Sequence, residues 1–179
     1  MTTLTLDILL ETPQERAAID KLHERAFGPG RFARSAYRLR EGIPALPSLS
    51  FIARVGTFLV GSIRLTPIRI AQAEALLLGP LTVEPAFENR GIGGALIQRA
   101  LETAHAEGHR LVLLVGDLDY YGRFGFTRIP RGRIALPGPV DPDRVLIHEC
   151  QPAAFEGLTG AVEPDLLWAQ KARAMGLPA

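Results

Sequence analysis

Residues 75–104 read "ALLLGPLTVEPAFENRGIGGALIQRALETA", and the order of signals within them decides the fold. The first nine residues, 75–83, form a strand-type apolar run with Gly79-Pro80 inside it. Proline cannot donate a ladder hydrogen bond, so this strand is predicted to bulge or to leave one edge unpaired there. Residues 91–108 then follow a helical period, with Ile92, Ala95, Leu96, Ala100 and Ala104 on one face. The helix opens on Gly91, Gly93 and Gly94, although an interior glycine costs a helix about 1 kcal/mol relative to alanine. A helix N-terminus carries free N–H groups and roughly half a unit of positive charge. Removing Cβ atoms there leaves room for a phosphate oxygen to reach the backbone, with Arg90 adding charge at the rim. The same glycines would also suit a tight strand-to-helix turn or close packing of the helix.

Outward from this stretch, "RLVLLVGD" (110–117) is a near-continuous apolar run, the pattern of a strand buried on both faces beside a parallel neighbour. Strand, helix and strand make a βαβ unit. Upstream, "LTLDILL" (4–10) reads as a strand. A helix follows from Thr12 as N-cap and Pro13 at its first position, and a shorter one over "RFARSAYRLRE" (31–41). "SLSFIARV" and "TFLVGSIRLTPIRI" are two strands joined at Gly56. Downstream, "FTRI" (126–129) and "RVLIHEC" (144–150) flank the Pro/Gly-rich segment 130–143. The tail offers an amphipathic helix over Pro164 to Ala174, with Leu166, Leu167 and Trp168 as its apolar residues. The expected class is α+β, one domain over 1–179, built on a mixed, mainly antiparallel central sheet flanked by helices.

Composition narrows the function classes. With 179 residues, 47% hydrophobic content and a net charge of +1, nothing favours nucleic acid or a membrane surface as partner. A single cysteine, Cys150, excludes an internal disulfide and a cysteine-based zinc cluster. The four histidines show no metal-ligand spacing, so no metal is expected. No apolar run approaches a membrane span and no signal pattern opens the chain, which makes the cytoplasm the expected location. Among phosphate-binding patterns, G-x-x-x-x-G-K-[ST] is absent. The dinucleotide fingerprint matches only in part, since Leu96 replaces its third glycine and seven residues separate Val83 from Gly91, which leaves a dinucleotide as the runner-up ligand.

Taken with "HRLVLLVGDLDYYGRFGF" (109–126), the stretch resembles the GCN5-related N-acetyltransferase (GNAT) family. The family pattern Q/R-x-x-G-x-G/A maps onto Glu88 to Gly93, and Y-x-x-x-G-F onto Tyr121 to Phe126. The resemblance implies that the fourth and fifth strands splay apart around acetyl-CoA as co-substrate. It further implies the backbone at Leu81, Thr82 and Val83 as holder of the pantetheine arm. The amides of Asn89, Arg90, Gly91, Ile92, Gly93 and Gly94 would hold the diphosphate. Tyr121 matches the tyrosine that protonates the departing thiolate, a sensible role for a phenol of pKa near ~10. The implied reaction is acetyl transfer to a primary amine on a small molecule or a protein. Its alternative is a catalytically silent acyl-CoA-binding sensor.

Three departures stand against the family pattern. Glu88 occupies the glutamine or arginine position, so its side chain is expected to face solvent. Gly116-Asp117 replaces the asparagine usual after the fifth strand, with Asp117 or Asp119 as cap of the next short helix. No glutamate is expected within the fourth strand to act as base, Glu74 preceding it and Glu84 following it. The acceptor pocket is expected from 28–45 and 128–143, where Arg34, Arg38 and Arg131 would receive an acidic acceptor. A homodimer is allowed by the sequence and fixed by nothing in it.

Overall fold

A computed structural model describes residues 5–28 and 35–179. Strand β1 (Leu6–Leu10) leads through a 3-10 turn at Pro13–Glu15 into α1 (Arg16–Phe27). Thr12 and Glu15 close a reciprocal capping box there, satisfying backbone groups that the helix start would otherwise leave free. A short α2 (Ser35–Arg38) precedes the hairpin strands β2 (Ser50–Val55) and β3 (Phe58–Ile70), joined at Gly56 with φ +61°. Then come β4 (Ala73–Val83), α3 (Ile92–Ala106), β5 (Leu111–Val115) and α4 (Leu118–Tyr121). Strands β6 (Thr127–Arg128), β7 (Ile134–Ala135), β8 (Val145–Glu149) and β9 (Gly160–Pro164) follow, with α5 (Leu166–Ala174) last.

The sheet runs β1-β2-β3-β4-β5-β8-β6, antiparallel except at one place. That place is the parallel pair β4–β5, whose register covers only Leu76↔Val112 and Leu77↔Leu113. Both faces of this central pair are buried. Leu76, Leu78, Val112 and Leu114 join one cluster, while Ala75, Leu77, Leu111 and Leu113 join the other. This is why residues 111–115 lack polar alternation.

Helix α3 buries Ile92, Leu96, Ile97, Ala100, Leu101 and Ala104 against the first cluster. It approaches β3 closely, because a Cβ on Gly61 would stand 3.0 Å from Leu96 Cδ1. Helix α1 lies on the opposite face. Its buried His23 reaches Ser62 Oγ at 3.2 Å, and Ser62 alternates with the α3-facing Gly61 and Ile63. No helix among the described residues is long and apolar enough to cross a membrane.

Strands β7 and β9 are absent from the sequence reading. Strand β9 adds antiparallel to β3 at Ile68–Ile70, and β7 pairs parallel with β9. Both are short and sit beside glycines and prolines, so their pairing partner defines them rather than their own pattern. Helix α5 also turns a different face inward. Ala169 and Ala172 are buried, whereas Leu166 and Leu167 are 65% and 61% exposed. Its start is fixed by Asp165, which accepts the Trp168 N–H at 3.0 Å, while the Trp168 indole donates to the Pro44 carbonyl at 2.7 Å.

Candidate active site

Strand β4 changes character half-way along. Beyond Leu77 its β5-facing edge has no strand partner, while its other edge stays paired with β3 to Val83. The change coincides with Gly79, held at φ +123°, and with the cis Gly79-Pro80 peptide. Across β3 the register slips between Ile63 and Leu65, a bulge opposite the same point. The two strands therefore splay, and residues 78–81 face a cleft on that side instead of a neighbouring strand. That cleft measures about 1460 Å³ and is lined by Leu78 to Leu81 on one side and Leu114 to Asp117 on the other.

Tyr121 also lines the cleft, as does Tyr120. Main-chain bonds fix them both: the Tyr120 and Tyr121 N–H groups donate to the Asp117 carbonyl at 3.1 and 3.0 Å. Asp117 is thus the N-cap of α4 through its backbone, and its side chain caps nothing. The Tyr121 ring packs edge-on to Phe126 at 5.9 Å and to Tyr120 at 5.0 Å. The Cε2–Cδ2 side of the ring presses on Gly116, where a Cβ would stand 2.9 Å from Tyr121 Cδ2. Burial pushes the phenol up to about 12, and Tyr120 and Asp117 push in the same direction. Tyr121 therefore stays protonated across the physiological range.

At the far end of β4, a 3-10 turn at Pro85–Phe87 brings the chain to α3. Asn89 at φ +59° and Gly91 at φ +80° fold the backbone into the helix start, and no side chain caps it. Gly91 is needed for its backbone angle, since a Cβ there would touch nothing within 4 Å. Gly93 and Gly94 are bare for another reason as well. The Tyr120 hydroxyl lies 2.7 Å from where a Gly93 Cβ would stand, and Phe124 Cζ lies 3.2 Å from that of Gly94. The guanidinium of Arg90 rests over the Phe87 ring at 5.4 Å, and that of Arg123 over Tyr120 at 4.5 Å. Two cations thus flank an uncapped helix start, and the sequence reading named one of them.

The acetyltransferase (GNAT) domain family matches residues 47–128. A GNAT family acetyltransferase from Brucella melitensis, solved in complex with acetyl-CoA, is 30% identical, covering 86% of this chain and 100% of that one, with a TM-score of 0.60. This chain belongs to the GCN5-related N-acetyltransferase family. The GNAT protein YhbS of Escherichia coli, solved with CoA, superposes over 92% of each chain with a TM-score of 0.78 at 24% identity. In sequence YhbS, an uncharacterized N-acetyltransferase, is 25% identical over 159 residues, 87% of this chain and 94% of that one. A second Escherichia coli relative, the uncharacterized N-acetyltransferase YjhQ, is 34% identical over 112 residues, 60% of this chain and 62% of that one.

Within this GNAT fold, Leu81 and Tyr121 line the cleft, whereas the turn 89–94 lies beyond its lining, at the open end of β4. The Thr82 side chain is buried away from solvent and meets Ser62 Oγ at 2.9 Å, continuing the chain that begins at His23. Val83 borders the helix start, its Cγ2 3.7 Å from a Gly93 Cβ position. Glu88 is exposed. Glu74 lies inside β4 rather than before it, but at the hairpin end with its side chain 84% exposed beside Arg69, remote from the splay. Glu84 is paired with Arg25 at 2.7 Å.

The acceptor-side arginines read from the sequence are otherwise engaged. Arg38 donates to the Pro137 carbonyl at 3.0 Å, and Arg131 grips Asp143 at 2.8 Å. Arg34 lies outside the described residues. A guanidinium of the 28–45 segment that does line the cleft is Arg40, which no motif marks. Its Nη2 sits 2.7 Å from where a Gly79 Cβ would stand, so the glycine makes its space. Its Nε is sealed from solvent with no hydrogen-bond partner. Burial draws this group down to about 10, which leaves it charged at neutral pH.

Proposed function

We propose that this protein transfers the acetyl group of acetyl-CoA directly to a primary amine, with Tyr121 as the acid that protonates the leaving thiolate. One observation carries the reading: the unpaired edge of β4 runs from the uncapped start of α3 to the splay beside Tyr121. A ligand with a diphosphate at one end and a neutral thioester at the other fits that path. The amides of Asn89 to Gly94, with Arg90 beside them, would take the diphosphate. The backbone of Leu81, Thr82 and Val83 would pair with the pantetheine arm as a missing strand does. The relative from Brucella melitensis holding acetyl-CoA supports this assignment.

In the reaction so read, the neutral amine nitrogen attacks the thioester carbonyl carbon and forms the C–N bond. Backbone N–H groups at the splay stabilise the developing oxyanion. Collapse breaks the C–S bond, and the thiolate takes the Tyr121 hydroxyl proton. The proton shed by the acetylated nitrogen returns to Tyr121 through water. Held up to about 12, the phenol is protonated at neutral pH but is a weaker acid than a thiol, so its loss of a proton to the thiolate is coupled to that return from the amine.

The test is a panel of small amines and peptides incubated with acetyl-CoA, following free thiol release. Thiol release that depends on the amine, with an acetylated product of the expected mass, supports the reading. Binding of CoA without transfer to any amine, peptide or protein would replace it with the sensor reading.

A further inference from the structure

The Arg40 guanidinium is a buried cation with an unanswered donor, placed where the two strands part. Of the other guanidinium groups lining the same cleft, Arg64 grips Glu11 at 2.6 and 2.7 Å, Arg144 faces Asp117 at 3.2 Å, and Arg16 is exposed to solvent. Asp20, Glu24 and Glu41 line the cleft from exposed positions, so acidic groups occupy its rim while Arg40 occupies its floor. A sealed guanidinium donor without an acceptor is costly to the fold, and that cost calls for a reason to keep this charge beside the cleft.

We infer that Arg40 binds a carboxylate of the acceptor, so that the amine substrate is an amino acid or a close analogue, with its acid group a few atoms from the nitrogen that is acetylated. The inference rests on the acetyl-transfer reading above for the position of the thioester. On that reading the charged part of acetyl-CoA lies at the start of α3, and only its neutral arm reaches the splay. An anion meeting Arg40 must then come from the second substrate. The nearness of Arg40 to Gly79, at the point of splay, sets the short spacing between acid and amine. A planar fork suits a carboxylate, which can accept two parallel N–H bonds. The acidic rim would attract the ammonium end of the same zwitterion.

The experiment compares amino acids with their carboxamides as acceptors, in the full-length protein and in Arg40→Met and Arg40→Lys. The native protein should prefer the acid over the amide by tenfold or more in kcat/KM, the usual scale for a charge-assisted bond. Arg40→Met should bring that ratio close to one, chiefly through KM, with CoA affinity held. Arg40→Lys should keep part of it, since charge remains and the fork is lost. A ratio of one in the native protein, or a ratio that survives in Arg40→Met, overturns the inference. So does an equal loss of kcat for acid and amide, which would place Arg40 on the thioester instead. Should no amine be acetylated, calorimetric binding of N-acetylated amino acids and their amides to the CoA-loaded protein gives the same comparison. An acid preference abolished by Arg40→Met then supports Arg40 while the transfer reading fails, and an equal affinity for both overturns it.

Discussion

The two walls of the cleft are built from different materials. One wall, formed by β4 and continued past the cleft by the start of α3, offers main chain: an unpaired strand edge and an uncapped helix turn, kept bare by glycine. The other, contributed by α1, α2 and the segments around 40 and 140, offers charged side chains, Arg144 among them already paired with Asp117. Short of proline, no substitution removes a main-chain donor, so the first wall suits a ligand that never varies. Side chains can be exchanged one at a time, so the second suits a ligand that sets specificity. Tyr121 stands where the walls meet.

Replacing Tyr121 by Phe tests that junction most severely. It should lower kcat by about 10²-fold, the scale of a positioned acid, with CoA affinity held. Steady-state kinetics with a fixed amine checks it, and unchanged turnover would take the tyrosine out of the chemistry. Next in size is Gly116→Ala, whose new Cβ would collide with the Tyr121 ring. Displacing that ring should cut kcat by about tenfold or more without weakening CoA, since misplacement by an ångström is costly. Turnover equal to the native protein's would show that the ring tolerates the shift.

The main-chain wall is probed by Gly91→Ala. Its Cβ meets nothing, so the whole effect comes from a φ of +80°, at roughly 1–2 kcal/mol. CoA affinity should fall severalfold in calorimetry while acceptor KM holds; a fall in acceptor binding alone would break the division of labour.

Acidity offers a gentler test. With Tyr121 held up to about 12, kcat/KM should rise with pH as the amine loses its proton and should not fall again below about pH 10. Because the folded-state value lies above the unfolded one, the stability that Tyr121 contributes is complete below about pH 10. It is lost as pH climbs through 12. A pH–rate profile falling before pH 9 would assign that limb to another group. The smallest effect is expected of Thr82→Val, which removes the hydroxyl bonded to Ser62. It should cost about 1 kcal/mol of stability in denaturant titration. CoA affinity should move by less than about twofold, since only main chain is used at 82.

Much of the main-chain wall was legible in the sequence. Gly79-Pro80 marks where one edge of β4 is left unpaired, and Gly91-Ile92-Gly93-Gly94 marks a helix start kept bare. Both are local signals, because proline's missing donor and glycine's backbone freedom act within a residue or two. The second reason for Gly93 and Gly94, the pressure of Tyr120 and Phe124, needed the tertiary contact. Gly116 had looked like a departure from a family pattern, and only the packed ring of Tyr121 showed what its bareness makes room for.

What the sequence determined by itself is the order of the longer elements, the buried face of α3, the doubly buried β5 and an irregular point in β4 at Gly79-Pro80. All of these follow from periodicity and from single residues with unusual backbones. The tertiary structure alone decided that Arg40, and not Arg38 or Arg131, faces the cleft, that alanines rather than leucines anchor α5, and that β7 and β9 exist. Those outcomes depend on which distant residue supplies a partner: Pro137 for Arg38, Asp143 for Arg131, β3 for β9, and for the Arg40 Nε none. A charge is freed or satisfied by its neighbours in space, and those neighbours are brought there by a chain path that no local pattern encodes.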